Sequence, residues 1–291
     1  MKAVIISVSV LLCICAVTGL TLVYAGRQAT NPPPNTPTAF LESNEGGPDN
    51  LVIVFLGDSL THAAVSSNFV AATAEKLERE QYSHFTFINA GINSELSYNA
   101  ANRVDEVVRC DPDFVFLLIG TNDINAQLNQ ESFERYIKEQ GLTQKPDEQS
   151  YRDNLRRIGS RLINGTHAAV AFLSLPAIGE DPAHPAYRMS GEYSRLIKDT
   201  SLELGVSYLP LFETMDSYLS AYPASPSKND YLDTRSLMMK AVLRHYVFGQ
   251  SWNRVGEANG FRLHTDFLHL NDTGAAMVAD MIAEFIIEKT D

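Results

Sequence analysis

The sequence predicts an α/β fold built on a parallel sheet, and three observations carry that expectation. Short apolar runs alternate five times with stretches of helical periodicity between residues 51 and 211. The strongest runs, LVIVFL (51–56) and FVFLLIG (114–120), are continuous rather than alternating, as strands covered on both faces are. The gaps between runs are long enough for the helical crossovers that parallel neighbours require, and such crossovers are right-handed.

Taken in order, LVIVFL (51–56) is the first strand, and Val65, Phe69, Ala72, Thr73 and Leu77 then recur at helical spacing. FTFINA (85–90) is a second strand, and Leu96, Ala100, Val104 and Val108 mark the next helix. FVFLLIG is the third strand. A helix around 151–163 precedes AAVAFLSL (168–175), and one around 190–204 precedes VSYLPL (206–211). Met277, Met281 and Phe285 lie on a closing helix, with Asp272 or Thr273 expected to cap it. No internal repeat is evident. Two stretches interrupt the pattern, a polar one at about 123–150 and a Tyr-rich one with Trp252 at about 212–264. The second is too long for a bare loop, so it is expected to carry helices, SLMMKAVLRHYVF among them, and to cap something. Its Tyr and Trp residues read as the core of that small cap.

The chain of 291 residues, 45% hydrophobic and 20% charged, can bury one substantial core and is not of disordered composition. Its net charge of −12, with no Lys/Arg cluster, argues against nucleic acid as a partner. Ala3 to Ala25 carries no charge and is long enough to span a bilayer. Residues 1–28 are therefore expected to be either a cleaved signal peptide, with Val23-Tyr24-Ala25 before the cut, or an uncleaved membrane anchor. Either places the globular part outside the cytoplasm, since Lys2 favours an inside N-terminus. The proline-heavy stretch 29–50 reads as a linker, and 51–291 as the domain proper. Cys13 and Cys15 lie in the apolar segment and neither follows the small residue that a lipoprotein cleavage site requires. Cys110 is then the one cysteine of the body, and it reads as a small buried hydrophobe.

In an open parallel sheet the functional crevice lies beyond the carboxyl ends of the strands, where strand order reverses. Gly57-Asp58-Ser59 follows the first strand, Asn89-Ala90-Gly91 the second and Gly120-Thr121-Asn122-Asp123 the third. A flavodoxin-like order of 2-1-3-4-5 would make these loops neighbours. A serine becomes a nucleophile when a base takes its proton. The oxyanion of an acyl-transfer intermediate wants fixed donors, each typically worth ~3–4 kcal/mol of barrier. Ser59 N–H, Gly91 N–H and the Asn122 amide are candidates, Gly91 because a missing Cβ lets backbone approach a ligand. In HTDFLHLND, Asp266 and His269 are three residues apart, so on one tight turn the carboxylate could hold Nδ1–H while Nε2 faces Ser59. His62, His245 and His264 are rival bases. Asp58 could serve as a second acid, but fixing the Ser59 loop suits it better, and Asp123 is expected to support its own loop.

Gly57-Asp58-Ser59-Leu60, Gly91, Gly120-Thr121-Asn122-Asp123 and Asp266-Phe267-Leu268-His269, in this order, resemble the SGNH/GDSL hydrolase family. The resemblance covers roughly 51–291 apart from the two insertions. It implies a three-layer α/β/α sandwich and hydrolysis of carboxylic esters, such as acyl lipids or acetylated glycans, without metal or cofactor. It assigns Ser59 as nucleophile, His269 as base and Asp266 as the orienting acid, with Ser59, Gly91 and Asn122 forming the oxyanion hole. No G-x-S-x-G elbow is present, since position 61 is Thr61. A metal phosphoesterase is the rival enzyme class, but no D-x-H pair follows the first strand. A non-catalytic binding module on the same scaffold is the third reading, and an intact Ser, His and Asp count against it.

Overall fold

A computed structural model describes residues 19–43, 50–222 and 234–290. Five strands form one sheet: β1 (Leu51–Gly57), β2 (Phe85–Gly91), β3 (Phe114–Leu118), β4 (Ala169–Leu173) and β5 (Ser207–Leu209). Their spatial order is β2-β1-β3-β4-β5, and every neighbouring pair is parallel. This is the expected order, and β1 is flanked by β2 and β3 because the chain reverses direction across the sheet there.

The helices divide into two layers. On one face α3 (Phe69–Arg79) packs against α12 (Asp272–Thr290), which also meets α9 (Leu211–Ala221). On the other, α7 (Glu148–Gly165) lies between α4 (Ser97–Arg109) and α8 (Pro185–Leu204). Strand residues alternate between the layers. Phe55 meets Phe69 of α3 and Phe116 meets Phe285 of α12 at centroid distances of 6.0 and 5.7 Å, filling the first interface with edge-to-face aromatic pairs. The strands are near-continuous apolar runs because both faces are covered.

The sequence expectations for single elements need three adjustments. The closing helix is capped by neither expected residue. The Asn271 side chain accepts from the N–H groups of Thr273 and Gly274, both at 3.0 Å, while Asp272 accepts from Asn253 N–H at 2.9 Å. The 123–150 interruption contains α6 (Gln130–Gln140) after α5 (Thr121–Leu128), so it is partly helical.

Part of the stretch read as a linker is seated on the domain. Asn35 pairs with the outer edge of β2, accepting from Asn89 N–H at 2.8 Å and donating to Phe87 C=O at 2.9 Å. The short helix α1 (Pro37–Ser43) follows, packed near α4 and β2. An edge strand presents unpaired backbone groups, and Asn35 satisfies two of them.

The second insertion carries α9, α10 (Thr234–Tyr246) and α11 (Trp252–Asn259), as its length required. Trp252 stacks on His245 at 3.9 Å, and the Tyr246 hydroxyl donates to Ala64 C=O at 2.7 Å, so the insertion rests on the loop after Ser59. Residues 19–30 are helical, and Ala25 is buried against Val65 and Val242. The rest of the apolar run expected as signal or anchor, residues 3–18, lies outside the described residues. Among those described, no helix is long and apolar enough to cross a membrane.

Candidate active site

β1 ends at Gly57 and the chain turns directly into α2 (Ser59–His62). Asp58 caps that helix, its Oδ1 accepting from Leu60 N–H at 3.0 Å. The cap sets the turn that presents Ser59 at the carboxyl edge of the sheet, half-buried, with its N–H at the start of a helix where no intrahelical acceptor exists.

The other end of the chain arrives as a narrow loop. His264 and Leu270 pair as an antiparallel bridge, and Thr265 N–H donates to His269 C=O at 2.7 Å. Inside the loop, Asp266 Oδ1 accepts from the N–H groups of Leu268 and His269 at 2.7 and 2.8 Å. Its Oδ2 accepts from His269 Nδ1 at 2.9 Å. With Nδ1 committed as donor, Nε2 is the acceptor, and it lies 3.0 Å from Ser59 Oγ across 210 residues of sequence. Ser66, on the loop after α2, clasps the arriving segment by donating to Leu270 C=O and accepting from Leu270 N–H, each at 3.1 Å.

Burial opposes charge on His269, but the adjacent Asp266 carboxylate more than offsets this and raises its pKa above the ordinary histidine value. Burial acts on Asp266 in the opposite sense to its neighbours, and His269 with the loop N–H groups prevails, holding the carboxyl below the usual range. The pair therefore favours an ionised Asp266 beside a basic imidazole.

The remaining expected residues divide. Asn122, in the first turn of α5, donates through Nδ2 to Glu95 C=O at 2.8 Å and lies 3.4 Å from Asp58 Oδ2. Asp123 accepts from the Ser97 hydroxyl at 2.5 Å and from Ser97 N–H at 2.9 Å, joining the β3 loop to the start of α4. Burial pushes Asp58 up to about 7 and Asp123 up to about 6. Both carboxyls act within the loops, Asp58 as a cap and Asp123 as a clasp.

Gly91 has a different place from the one expected. Its N–H donates to Asn89 Oδ1 at 2.9 Å and is not offered to a ligand. A Cβ there would stand 2.2 Å from His62 N, so the missing side chain admits the α2 backbone rather than a substrate. Three residues on, Ser94 takes a left-handed φ of 64°, its N–H meets no acceptor among the described residues, and Glu95 holds Asn122. This position carries no sign in the sequence, because a serine at positive φ leaves no compositional signal.

The rival histidines are all elsewhere engaged or placed. His245 stacks on Trp252, His62 lies in α2 with its Nδ1 buried and without a hydrogen-bond partner among the described residues, and His264 is fully buried with Nδ1 2.8 Å from Glu180 Oε1. Glu180 also accepts the N–H groups of Arg262, Leu263 and His264 at 2.7, 2.7 and 3.1 Å. This anchors the segment that leads into the Asp266 loop. Glu95 pairs with Arg103 at 2.6 Å in a nearly buried salt bridge, and Arg103 also donates to Ala90 C=O at 2.7 Å. Neither pairing was foreseen. Arg103 had one visible sign, since it falls among Leu96, Ala100 and Val107 on the buried face of α4.

Residues 55–277 match the model of the GDSL-like lipase/acylhydrolase family. The chain belongs to that family. It is accordingly an ester hydrolase. Comparison with curated protein sequences returns no match. Among solved structures, the acetylxylan esterase Axe2 from Geobacillus stearothermophilus is similar with a TM-score of 0.57 at 16% identity, covering 82% of this chain and 96% of that one. The acetyl xylan esterase AlAXEase gives 0.58 at 20% identity over 81% of this chain and 100% of that one. A lipase/acylhydrolase from Enterococcus faecalis gives 0.55 at 17% identity over 82% and 96%. At these identities the likeness establishes the fold. Among the described residues of this GDSL-family hydrolase, no three or more His, Cys, Asp or Glu side chains gather as metal ligands would.

Proposed function

We propose that this hydrolase cleaves carboxylic esters through an acyl-enzyme on Ser59. The observation that supports it is the continuous chain Ser59 Oγ, His269, Asp266 at 3.0 and 2.9 Å. His269 Nε2 takes the Ser59 proton as Oγ attacks the ester carbonyl, and the imidazolium returns that proton to the departing alcohol. Asp266 keeps the imidazole in the Nδ1–H tautomer and stabilises its charged form. Water then attacks the acyl-enzyme by the same route, releasing the acid. The oxyanion is met by Ser59 N–H, Asn122 Nδ2–H and, in place of Gly91, Ser94 N–H. The second Asn122 proton is held by only a 3.4 Å contact to Asp58, so a developing oxyanion is the better acceptor.

The substrate is an acetylated glycan or an acyl lipid. Two of the structurally similar enzymes are named for acetylated xylan and one as a lipase/acylhydrolase, and both arms belong in the test. The uncharged N-terminal run supports a location outside the cytoplasm for the domain. Retention of that run is favoured over a cut after Ala25, because Ala25 lies within a helix and is buried on the domain. Mass spectrometry of the mature N-terminus decides between them.

A fluorophosphonate probe is expected to attach covalently to the peptide carrying Ser59 and to abolish hydrolysis of nitrophenyl acetate. Labelling at another residue, or full activity after labelling, would overturn the reading. Acetylated oligosaccharides and nitrophenyl esters of rising chain length then rank the two substrate arms.

The pH–rate profile carries a second prediction. Only neutral His269 can accept the proton, so kcat/KM should rise with pH through an inflection above the ordinary histidine value of 6.5. Asp266→Asn removes the carboxylate that raises it, so the inflection moves down and kcat falls roughly 10⁴-fold through the wrong tautomer. A wild-type profile flat from about pH 5 to 8 would show that no histidine base is at work.

A further inference from the structure

An asparagine amide is nearly symmetrical in shape and opposite in polarity at its two ends. If Asn122 turned over, its carbonyl oxygen instead of its N–H group would face a developing oxyanion, and a stabilising contact would become a repulsive one. Something must hold the direction. One support is Glu95 C=O, which can only accept and so draws Nδ2 toward it at 2.8 Å.

The other support comes from the first insertion. The Tyr136 hydroxyl, on α6, lies 2.6 Å from Asn122 Oδ1, and Asn125 Nδ2 lies 2.9 Å from the same hydroxyl. A phenol has a single proton. With Asn125 donating into its oxygen, that proton goes to Asn122 Oδ1. The ring is fully buried beside Leu96, Ala126 and Leu142, and the Arg135 guanidinium lies over it at 4.6 Å, so the hydroxyl has little freedom to turn elsewhere. α6 packs chiefly on α5. Its tyrosine reaches beneath the first turn of α5.

We propose that Tyr136 is a positioning residue that sets the direction of the Asn122 amide, so that the first insertion completes the oxyanion hole from behind. This rests on Asn122 being an oxyanion donor. Tyr136→Phe removes the hydroxyl and leaves the ring in place. It is expected to lower kcat about tenfold, a fraction of the 10²–10³ typical for loss of a whole donor. KM and the inflection of the kcat/KM profile should stay where they are, because neither binding nor the His269 pair is touched.

The deciding readout is a double-mutant cycle with Asn122→Ala. If Tyr136 acts through Asn122, adding Tyr136→Phe to Asn122→Ala costs nothing further in kcat. Additive losses would overturn the proposal, as would an unchanged kcat in Tyr136→Phe alone while Asn122→Ala loses 10²–10³. If Asn122→Ala itself leaves kcat intact, the oxyanion reading has failed and Tyr136 falls with it. Failure of a fluorophosphonate to label Ser59 in the wild-type protein would instead overturn the acyl-enzyme reading itself, so the two failures are told apart. Asn125→Ala is a second route that keeps the tyrosine: the phenol proton is freed to turn, and a smaller, equally non-additive fall in kcat is expected. Additivity there would count against the proposal in the same way.

Discussion

Ser59→Ala is expected to lower kcat for ester hydrolysis by roughly a million-fold, the scale of removing a triad nucleophile from a hydrolase. The loss follows from the bond that forms: without Oγ there is no acyl-enzyme, and His269 Nε2 faces a methyl group. Some rate above that of water should survive, since the oxyanion donors and the binding surface remain. The fold should be indifferent. Ser59 is half-buried, its Oγ bonds only His269 among the described residues, and the turn is set by Asp58 and Leu60. A melting temperature equal to that of the wild type, together with lost fluorophosphonate labelling, is the combined signature. Retained hydrolysis in pure Ser59→Ala protein would end the mechanism.

The largest effect on stability is expected at Arg103. Its guanidinium pairs with Glu95 at 2.6 Å and donates to Ala90 C=O at 2.7 Å and Gly57 C=O at 3.3 Å, fastening the ends of β1 and β2 to the loop that holds Asn122. Arg103→Leu leaves Glu95 without its cation in a site about nine-tenths closed to solvent. Breaking a buried pair from one side costs about 3–5 kcal/mol, which lowers Tm by roughly 10 °C in a chain of this size. The sign of the pH dependence is a separate check. Burial already raises the Glu95 pKa, against the pull of Arg103, and removing Arg103 raises it further. The folded variant then holds its proton at pH values where the unfolded chain has lost it. Its deficit should therefore grow as the pH rises from the unfolded-chain carboxylate value to the raised Glu95 pKa of the folded variant, level off above that pKa, and shrink again below it. Glu95→Leu in the same chain should restore much of the loss, because an apolar pair leaves no buried charge. Equal stability of Arg103→Leu and wild type at neutral pH would mean that the pair contributes nothing.

Much of the fold was readable because its determinants are local. Apolar runs such as Leu51–Leu56 and Phe114–Ile119 commit to strands by pattern, the intervening periodicities commit to helices, and the handedness of crossovers leaves few topologies. The residues at strand ends share an edge once the order is known, so Ser59 and Asn122 are brought together by topology. Asp266 and His269 are legible for a simpler reason: three residues apart, they can meet within one turn.

The misreadings share a cause as well. Gly91 was judged by what a glycine permits, and its actual neighbours, Asn89 Oδ1 and His62 N, are set by how β2 meets α2. The cap on α12 went to Asn271 because Asp272 was taken by Asn253 of α11, nineteen residues away in sequence. The proline-rich stretch was read from composition alone, which says nothing of a free sheet edge waiting for Asn35.

Linear order was therefore enough to nominate the groups proposed to carry the chemistry, since reactivity belongs to side-chain type and local turn geometry. Which groups hold them in place, Glu95 with Arg103, Glu180 with His264 and Tyr136 with Asn122, was decided by packing. Those pairings join segments whose separation in sequence is bridged only when helices settle on the sheet. A buried polar atom takes whichever partner lies within hydrogen-bond reach there, and no local pattern encodes which one that is.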